Sequence, residues 1–173
     1  MERAWILLGM MGSGKSTVGQ ALAQVSGRGF FDTDKLLVQR LGRPIADFFR
    51  YYGEEAFRDH EFSVLQSIEP CPAVIATGGG IVIQERNWPE LQRIGTTIYL
   101  QASFDVLKER VERGKKRRPL LQAEDWEERL QSILESRQDW YSRADLSFQV
   151  GEFEIEETAR RLHEAILEFE AHR

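Results

Sequence analysis

Residues 9–16 read Gly9-Met10-Met11-Gly12-Ser13-Gly14-Lys15-Ser16, a complete G-x-x-x-x-G-K-[ST] pattern preceded by the apolar run Ala4-Trp5-Ile6-Leu7-Leu8. Few short windows constrain a fold so much, because the pattern works only as the turn between a buried strand and a helix. Its glycines let successive backbone N–H groups turn inward around an anion, and the helix that follows points its positive N-terminal end at the same place. Val18, Ala21, Leu22 and Val25 recur at helical spacing, with Gly27 as a C-cap, so the required context is present. The window therefore predicts a nucleoside triphosphate site. Gly12, Ser13, Gly14 and Thr17 complete its cradle, Lys15 is placed to reach the β- and γ-phosphates, and Ser16 to ligate Mg²⁺.

The rest of the chain fits such a domain. Short apolar or β-branched runs recur at Trp5–Leu8, Gly29–Phe31, Ala73–Ala76, Thr97–Leu100 and Leu146–Val150, with amphipathic segments between them. This alternation predicts an α/β fold with a five-stranded, mostly parallel sheet and helices on both faces. Helical stripes are legible in Phe57, Val64, Leu65 and Ile68, in Trp126, Leu130, Ile133 and Leu134, and in Ala159, Leu162, Ile166 and Phe169. Ser103 suits the N-cap of a helix starting near Phe104, and Glu124 or Asp125 that of the helix carrying Trp126. No repeat or linker divides residues 1–173, whose length suits one domain burying roughly 70% of its unfolded surface.

Composition removes several functions. No apolar run approaches the ~20 residues that cross a bilayer, and a net charge of −5 argues against a nucleic-acid binder. Met1-Glu2-Arg3 runs straight into the first strand, so a cytoplasmic protein is expected. The single cysteine, Cys71, sits between Pro70 and Pro72 and reads as a loop residue. His60, His163 and His172 lack metal-ligand spacing and read as surface residues, while Trp126 and Trp140 read as packing.

In open α/β sheets ligands lie beyond the carboxyl ends of the strands, so the residues after each run carry the functional reading. After the second run come Asp32-Thr33-Asp34. Mg²⁺ takes few protein ligands and keeps waters, so Asp32 can hold a metal-bound water while Asp34 accepts a hydrogen bond from a hydroxyl substrate. Equally, either acid can be the N-cap of the helix carrying Leu36 and Leu37. After the third run comes Thr77-Gly78-Gly79-Gly80. The acid that commonly ends this strand is replaced by Thr77, which makes Asp32 the leading metal carboxylate, and three glycines let the backbone approach a ligand closely.

Arg58 lies in the charged stretch from Gly53 to Glu61, where it can pair with Glu54, Glu55 or Glu61 on a solvated face. Arg137, late in the penultimate helix, can simply complement the macrodipole. Both become interesting if the acceptor carries a carboxylate, which two forked guanidiniums bind bidentately. Seven basic residues fall between Lys108 and Arg118, ending in Gly114-Lys115-Lys116-Arg117-Arg118-Pro119-Leu120-Leu121. On an acidic chain that concentration suggests a phosphate-directed lid over about 112–124, hinged at Gly114 and Pro119.

Taken together these residues resemble the shikimate kinase family, a branch of the nucleoside-monophosphate-kinase-like P-loop folds. The likeness is collinear over essentially the whole chain and rests on Gly9–Thr17, Asp32-Thr33-Asp34, Phe57-Arg58 with Glu61, Thr77–Gly80, Arg118-Pro119-Leu120-Leu121, and Arg137 ahead of Trp140-Tyr141 and Ala144-Asp145. The resemblance implies a three-layer α/β/α domain with sheet order 2-3-1-4-5, ATP and Mg²⁺ as its nucleotide and metal, and transfer of the γ-phosphoryl group to the 3-hydroxyl of shikimate. It further implies that Asp34 holds the shikimate hydroxyls and that Arg58, Arg137 and the Gly79–Gly80 backbone bind the acceptor. The acceptor-binding helical region would span about 33–61, with Ile45, Phe49 and Phe57 lining the pocket, Arg118 closing over the transferring phosphate and Arg110 stacking on adenine. A monomer is implied. The stretch from Arg110 to the Arg-Pro-Leu motif is about one residue longer than the family pattern, so Arg113 competes with Arg110, and Arg117 with Arg118.

Three other readings fit less of the chain. A gluconate-type kinase shares the phosphate loop but not the glycine triplet or the Arg-Pro-Leu-Leu lid. A GTPase switch needs an Asn/Thr-Lys-x-Asp motif, which Thr33-Asp34-Lys35 does not supply. A noncatalytic regulator should have lost part of the site, whereas Lys15, Asp34, Arg58 and Arg137 are all present.

Overall fold

The apolar run ahead of the phosphate loop forms strand β1 (Ala4–Leu8), all five residues of which are buried. Parallel neighbours cover both of its edges: β3 (Ala73–Ala76), with Ile6 opposite Ile75, and β4 (Gly95–Ala102), with Ile6 opposite Thr97. Strand β2 (Gly29–Asp32) adds outside β3 and β5 (Leu146–Val150) outside β4, giving the order β2-β3-β1-β4-β5 with every pairing parallel. The three inner strands are buried almost throughout, as expected when helices cover both faces, whereas the two edge strands alternate in exposure. This computed structural model describes residues 3–113 and 125–172.

Seven helices flank the sheet among the described residues: α1 (Lys15–Ser26), α2 (Thr33–Leu41), α3 (Ile45–Ser67), α4 (Asn87–Ile94), α5 (Phe104–Arg113), α6 (Trp126–Tyr141) and α7 (Ile155–Ala171). Gly27 closes α1 in the left-handed conformation, its N–H donating to the Gln24 carbonyl. Ser103 caps α5 through a bond from the Val106 N–H. Asp125 occupies the N-cap position of α6, but its carboxylate accepts from Arg129 Nε (2.8 Å) instead of from a helix N–H.

Two features depart from the sequence reading. β4 is longer than Thr97–Leu100, because it pairs with β1 from Gly95 onward and with β5 as far as Ala102; within it the N–H and Oγ1 of Thr97 both donate to Asp145 Oδ2, at 2.9 and 2.7 Å. Helix α4 has no counterpart among the expected stripes. It is short and carries Pro89 in its first turn, where a missing N–H costs nothing, and it buries Trp88, Leu91 and Ile94.

One large core surrounds the sheet, and a second, smaller cluster of Leu37, Phe48, Phe57 and Val64 holds α2 to α3. Ile45 and Phe49 pack partly buried against this second cluster, with Phe49 and Phe57 ring centroids 4.4 Å apart. Helix α3 breaks at Gly53 (φ 80°, ψ 176°), so the charged segment from Glu54 onward starts a new helical direction. His60 and His163 are half-buried rather than on the surface, His60 edge-on to Phe48 and His163 against Trp5. Cys71 lies in the loop before β3, as expected.

Candidate active site

Positive φ at Gly12 (84°) and Gly14 (94°) folds the loop after β1 back on itself at the head of α1. No bulkier residue takes those angles without strain. Lys15, buried at 8% exposure, lies along the loop with Nζ donating to the carbonyls of Gly9 (2.7 Å) and Met10 (3.0 Å). Ser13 is fully buried, and its hydroxyl has no hydrogen-bond partner. Thr17 bonds the Gly14 carbonyl. From α5, Arg110 reaches the same loop, its Nη1 3.2 Å from the carbonyls of both Gly12 and Ser13. Arg113 instead pairs with Glu109 on the exposed side of α5. A cavity of about 120 Å³ opens beside Arg110, lined also by Gly14, Thr17, Gly151, Phe153 and Thr158.

The Ser16 hydroxyl donates to Asp32 Oδ2 at 2.8 Å. The other oxygen of Asp32 accepts from the N–H groups of Asp34 (3.0 Å) and Lys35 (3.3 Å), so Asp32 is at once the N-cap of α2 and the partner of the loop serine. The N-cap reading of the sequence thus holds for Asp32. The pair consists of hard oxygen donors, which suits Mg²⁺. Among the described residues no three His, Cys, Asp or Glu side chains converge as a metal cluster, so an ion here would complete its shell with water and phosphate oxygens.

Asp34 is not a cap. It turns inward beside Gly78, where burial and then the charge of Asp32 raise its carboxyl above the ordinary range, against the opposing pull of Lys15 and Arg58. Arg58 is likewise not on a solvated face: it is 7% exposed and Glu61 5%. Its Nη1 donates to Glu61 (2.5 Å), while Nη2 (3.0 Å) and Nε (3.3 Å) donate to one oxygen of the exposed Glu54. Burial works against the charge on Arg58, but the two carboxylates more than offset it, and its pKa rises. Burial likewise lifts Glu61, with Arg58 opposing. The charge of Arg137, on α6, also acts on Glu61 and on the Tyr141 hydroxyl, opposing the rise that burial causes in each.

The glycine triplet explains why these groups can meet. A Cβ on Gly78 would stand 2.7 Å from Asp34 Oδ1, and one on Gly80 would stand 2.6 Å from Arg58 Nη1. The backbone at both positions is ordinary, so the glycines are there to leave space for side chains. Thr77, in place of an acid, turns its hydroxyl to the Leu7 carbonyl (2.9 Å) and closes the end of β3.

The structure thus brings Gly12–Thr17, Asp32 and Arg110 together on one side, and Asp34, Arg58, Gly79, Gly80 and Arg137 on the adjoining side. Arg117 and Arg118 lie outside the described residues, as does the expected lid beyond Arg113. Two residues that sequence reasoning gave no task also frame the site. Thr33 Oγ1 accepts from the Gly78 N–H (3.3 Å), and the Tyr141 hydroxyl donates to the Gly79 carbonyl (2.7 Å). Their only advance signal was position, each beside a residue already singled out.

Known proteins place this arrangement. The family model for shikimate kinase matches residues 11–167. A shikimate kinase of Cereibacter sphaeroides is 38% identical over 167 residues, covering 96% of this chain and 83% of that protein. One of Legionella pneumophila is 40% identical over 158 residues, covering 90% of each. The solved structure of a shikimate kinase from Acinetobacter baumannii in complex with shikimate superposes with a TM-score of 0.89 at 33% identity, over 97% of this chain and 94% of that one. That of Aquifex aeolicus shikimate kinase superposes with a TM-score of 0.77 at 32% identity, over 95% and 96%. With its loop, glycine triplet and paired arginines in the order described, the chain belongs to the shikimate kinase family.

Proposed function

We propose that this chain transfers the γ-phosphoryl group of ATP to the 3-hydroxyl of shikimate, giving shikimate 3-phosphate and ADP. The observation that carries the reading is the convergence of Asp34 with Arg58 and Arg137 around the Gly78–Gly80 turn, directly beside the phosphate loop. Two guanidiniums next to an inward carboxylate suit an acceptor that has both a carboxylate and hydroxyls.

In this reading Arg58, Arg137 and the Gly79–Gly80 backbone bind shikimate, with Ile45, Phe49 and Phe57 walling the pocket from the second cluster. Asp34 orients the 3-hydroxyl and accepts its proton as the new P–O bond forms and the bond to the β-phosphate oxygen breaks. Lys15 and the amides of Gly12–Thr17 hold the β- and γ-phosphates, and Arg110 lies against adenine in the cavity beside the loop. Arg118 closes over the transferring group. Ser16, with Asp32 acting through water, is the pair that would hold Mg²⁺. When bound, Mg²⁺ neutralises negative charge on the β- and γ-phosphoryl oxygens. The enzyme works as a single-domain monomer in the cytoplasm. No described helix is long and apolar enough to cross a membrane.

Coupled ADP release over a panel of hydroxylated acids tests this. The expected result is ATP consumption that requires both shikimate and Mg²⁺. Consumption with gluconate and none with shikimate overturns it.

A further inference from the structure

Tyr141 ends α6 with its side chain fully enclosed, 0% exposed, at the seam between the phosphate loop and the glycine turn. Its ring stacks on Tyr99, with centroids 4.9 Å apart and planes 8° from parallel. The hydroxyl does three things at once. It donates to the Gly79 carbonyl at 2.7 Å, lies within the field of the Arg137 guanidinium, and rests 4.0 Å from the sulfur of Met10 in the phosphate loop.

A trans peptide makes this bond informative. C=O and N–H point in opposite directions across a planar amide, so fixing the Gly79 carbonyl against Tyr141 also fixes the Gly80 N–H on the opposite side. The following carbonyls are pinned in the same manner, Ile81 by Asn87 Nδ2 (2.7 Å) and Val82 by Trp88 Nε1 (2.9 Å). Tyr141 differs from those two in holding a peptide that Arg137 also approaches, its Nη1 3.7 Å from where a Cβ on Gly79 would stand. Burial pushes its hydroxyl up to about 12 against the opposing effect of Arg137, so it remains a donor at any working pH.

We infer that Tyr141 is a positioning residue of the acceptor site, its hydroxyl setting the direction of the Gly80 N–H through the Gly79 carbonyl. The inference rests on the acceptor reading above. It assigns Tyr141 no contact with substrate. Its effect passes through the Gly79–Gly80 peptide it holds, so its loss weakens shikimate binding and leaves ATP binding alone.

Tyr141→Phe keeps the ring stack and removes only the hydroxyl, with Tyr99→Phe as the neighbouring control, since among the described residues the Tyr99 hydroxyl bonds only the exposed Gln138. Tyr141→Phe is expected to raise the shikimate KM about tenfold or more, with the ATP KM within about twofold of the parent. Tyr99→Phe keeps both. In ligand-free protein labelled with ¹⁵N, Tyr141→Phe is expected to shift the Gly80 amide resonance, a readout that does not depend on which acceptor the enzyme uses. A parental Gly80 resonance together with a parental shikimate KM overturns the inference, as does a lowered Tm with both of those unchanged. A parent protein inactive on shikimate would instead refute the acceptor reading, and the Gly80 resonance would still decide what Tyr141 does.

Discussion

Gly80→Ala adds one methyl group at the place where the acceptor side is tightest. The backbone there (φ −93°, ψ 1°) accepts alanine, so the effect is steric. The new Cβ would stand 2.6 and 2.7 Å from the two Nη atoms of Arg58, where ordinary contact begins near 3.4 Å, so the guanidinium must retreat by about 0.8 Å. It cannot do so freely, being bonded to buried Glu61 at 2.5 Å and to Glu54 at 3.0 Å. Overpacking costs ~1–3 kcal/mol, and because the clash meets the end of a side chain the low end applies, a drop of roughly 2–4 °C in Tm for a domain of this size. The catalytic cost should be larger. A displacement approaching 1 Å in a positioning group can cost about 10²-fold, so kcat/KM for shikimate is expected to fall by ~10- to 100-fold while the ATP KM holds. Gly29→Ala is the control, since its Cβ meets nothing closer than 3.9 Å. Thermal melts and steady-state kinetics on both variants make the comparison. If Gly80→Ala retains the parental kcat/KM for shikimate, Arg58 is not held where the reaction needs it.

Asp34→Asn is expected to cut turnover by roughly 10²-fold or more with ATP binding intact. Because the folded carboxyl titrates above its unfolded value, it destabilises the ligand-free protein as pH rises through the window between the two. The Asn variant should therefore melt higher than the parent at pH 7 and equally at low pH, and parental activity should rise with pH as Asp34 ionises; a lower melting point at pH 7 would contradict this. Arg58→Lys and Arg137→Lys should each raise the shikimate KM, since a point charge cannot reproduce the fork, and two parental KM values would remove both arginines from the task. In the lid expected from the sequence, Arg118 precedes Pro119, a position at which helical backbone is disfavoured and the projection of the side chain is restricted. Arg118→Ala should then lower kcat by roughly 10³-fold and Arg117→Ala by at most about tenfold, the reverse order placing the phosphate contact at Arg117.

The parts legible in the sequence were those with local causes. The phosphate loop, its flanking strand and helix, the Gly27 cap and the Ser103 cap each depend on residues a few positions apart, and all five strands lie where apolar runs stand. The site's electrostatics were less legible. A run from Gly53 to Glu61 with four acids and one arginine reads as a wet helix face, yet α3 breaks at Gly53 and Arg58 and Glu61 lie buried against the glycine turn that follows β3. The glycine triplet stands out in the sequence as room for a ligand, but the space it leaves is filled by Asp34, Glu61 and Arg58, which sit far from it in the chain. Tyr141 shows the same limit: a tyrosine at a helix end reads as core, and only the assembled turn reveals its hydroxyl on Gly79.

The central claim is that one hydroxyl of one acceptor receives the phosphoryl group. Incubating the enzyme with ATP, Mg²⁺ and shikimate and reading the product by ³¹P and ¹H NMR tests it most directly. A single new phosphate monoester whose phosphorus couples to the hydrogen on C3 of shikimate, formed in step with ADP, is the predicted result. ADP accompanied by inorganic phosphate alone, or a phosphate coupled to another carbon, would contradict it.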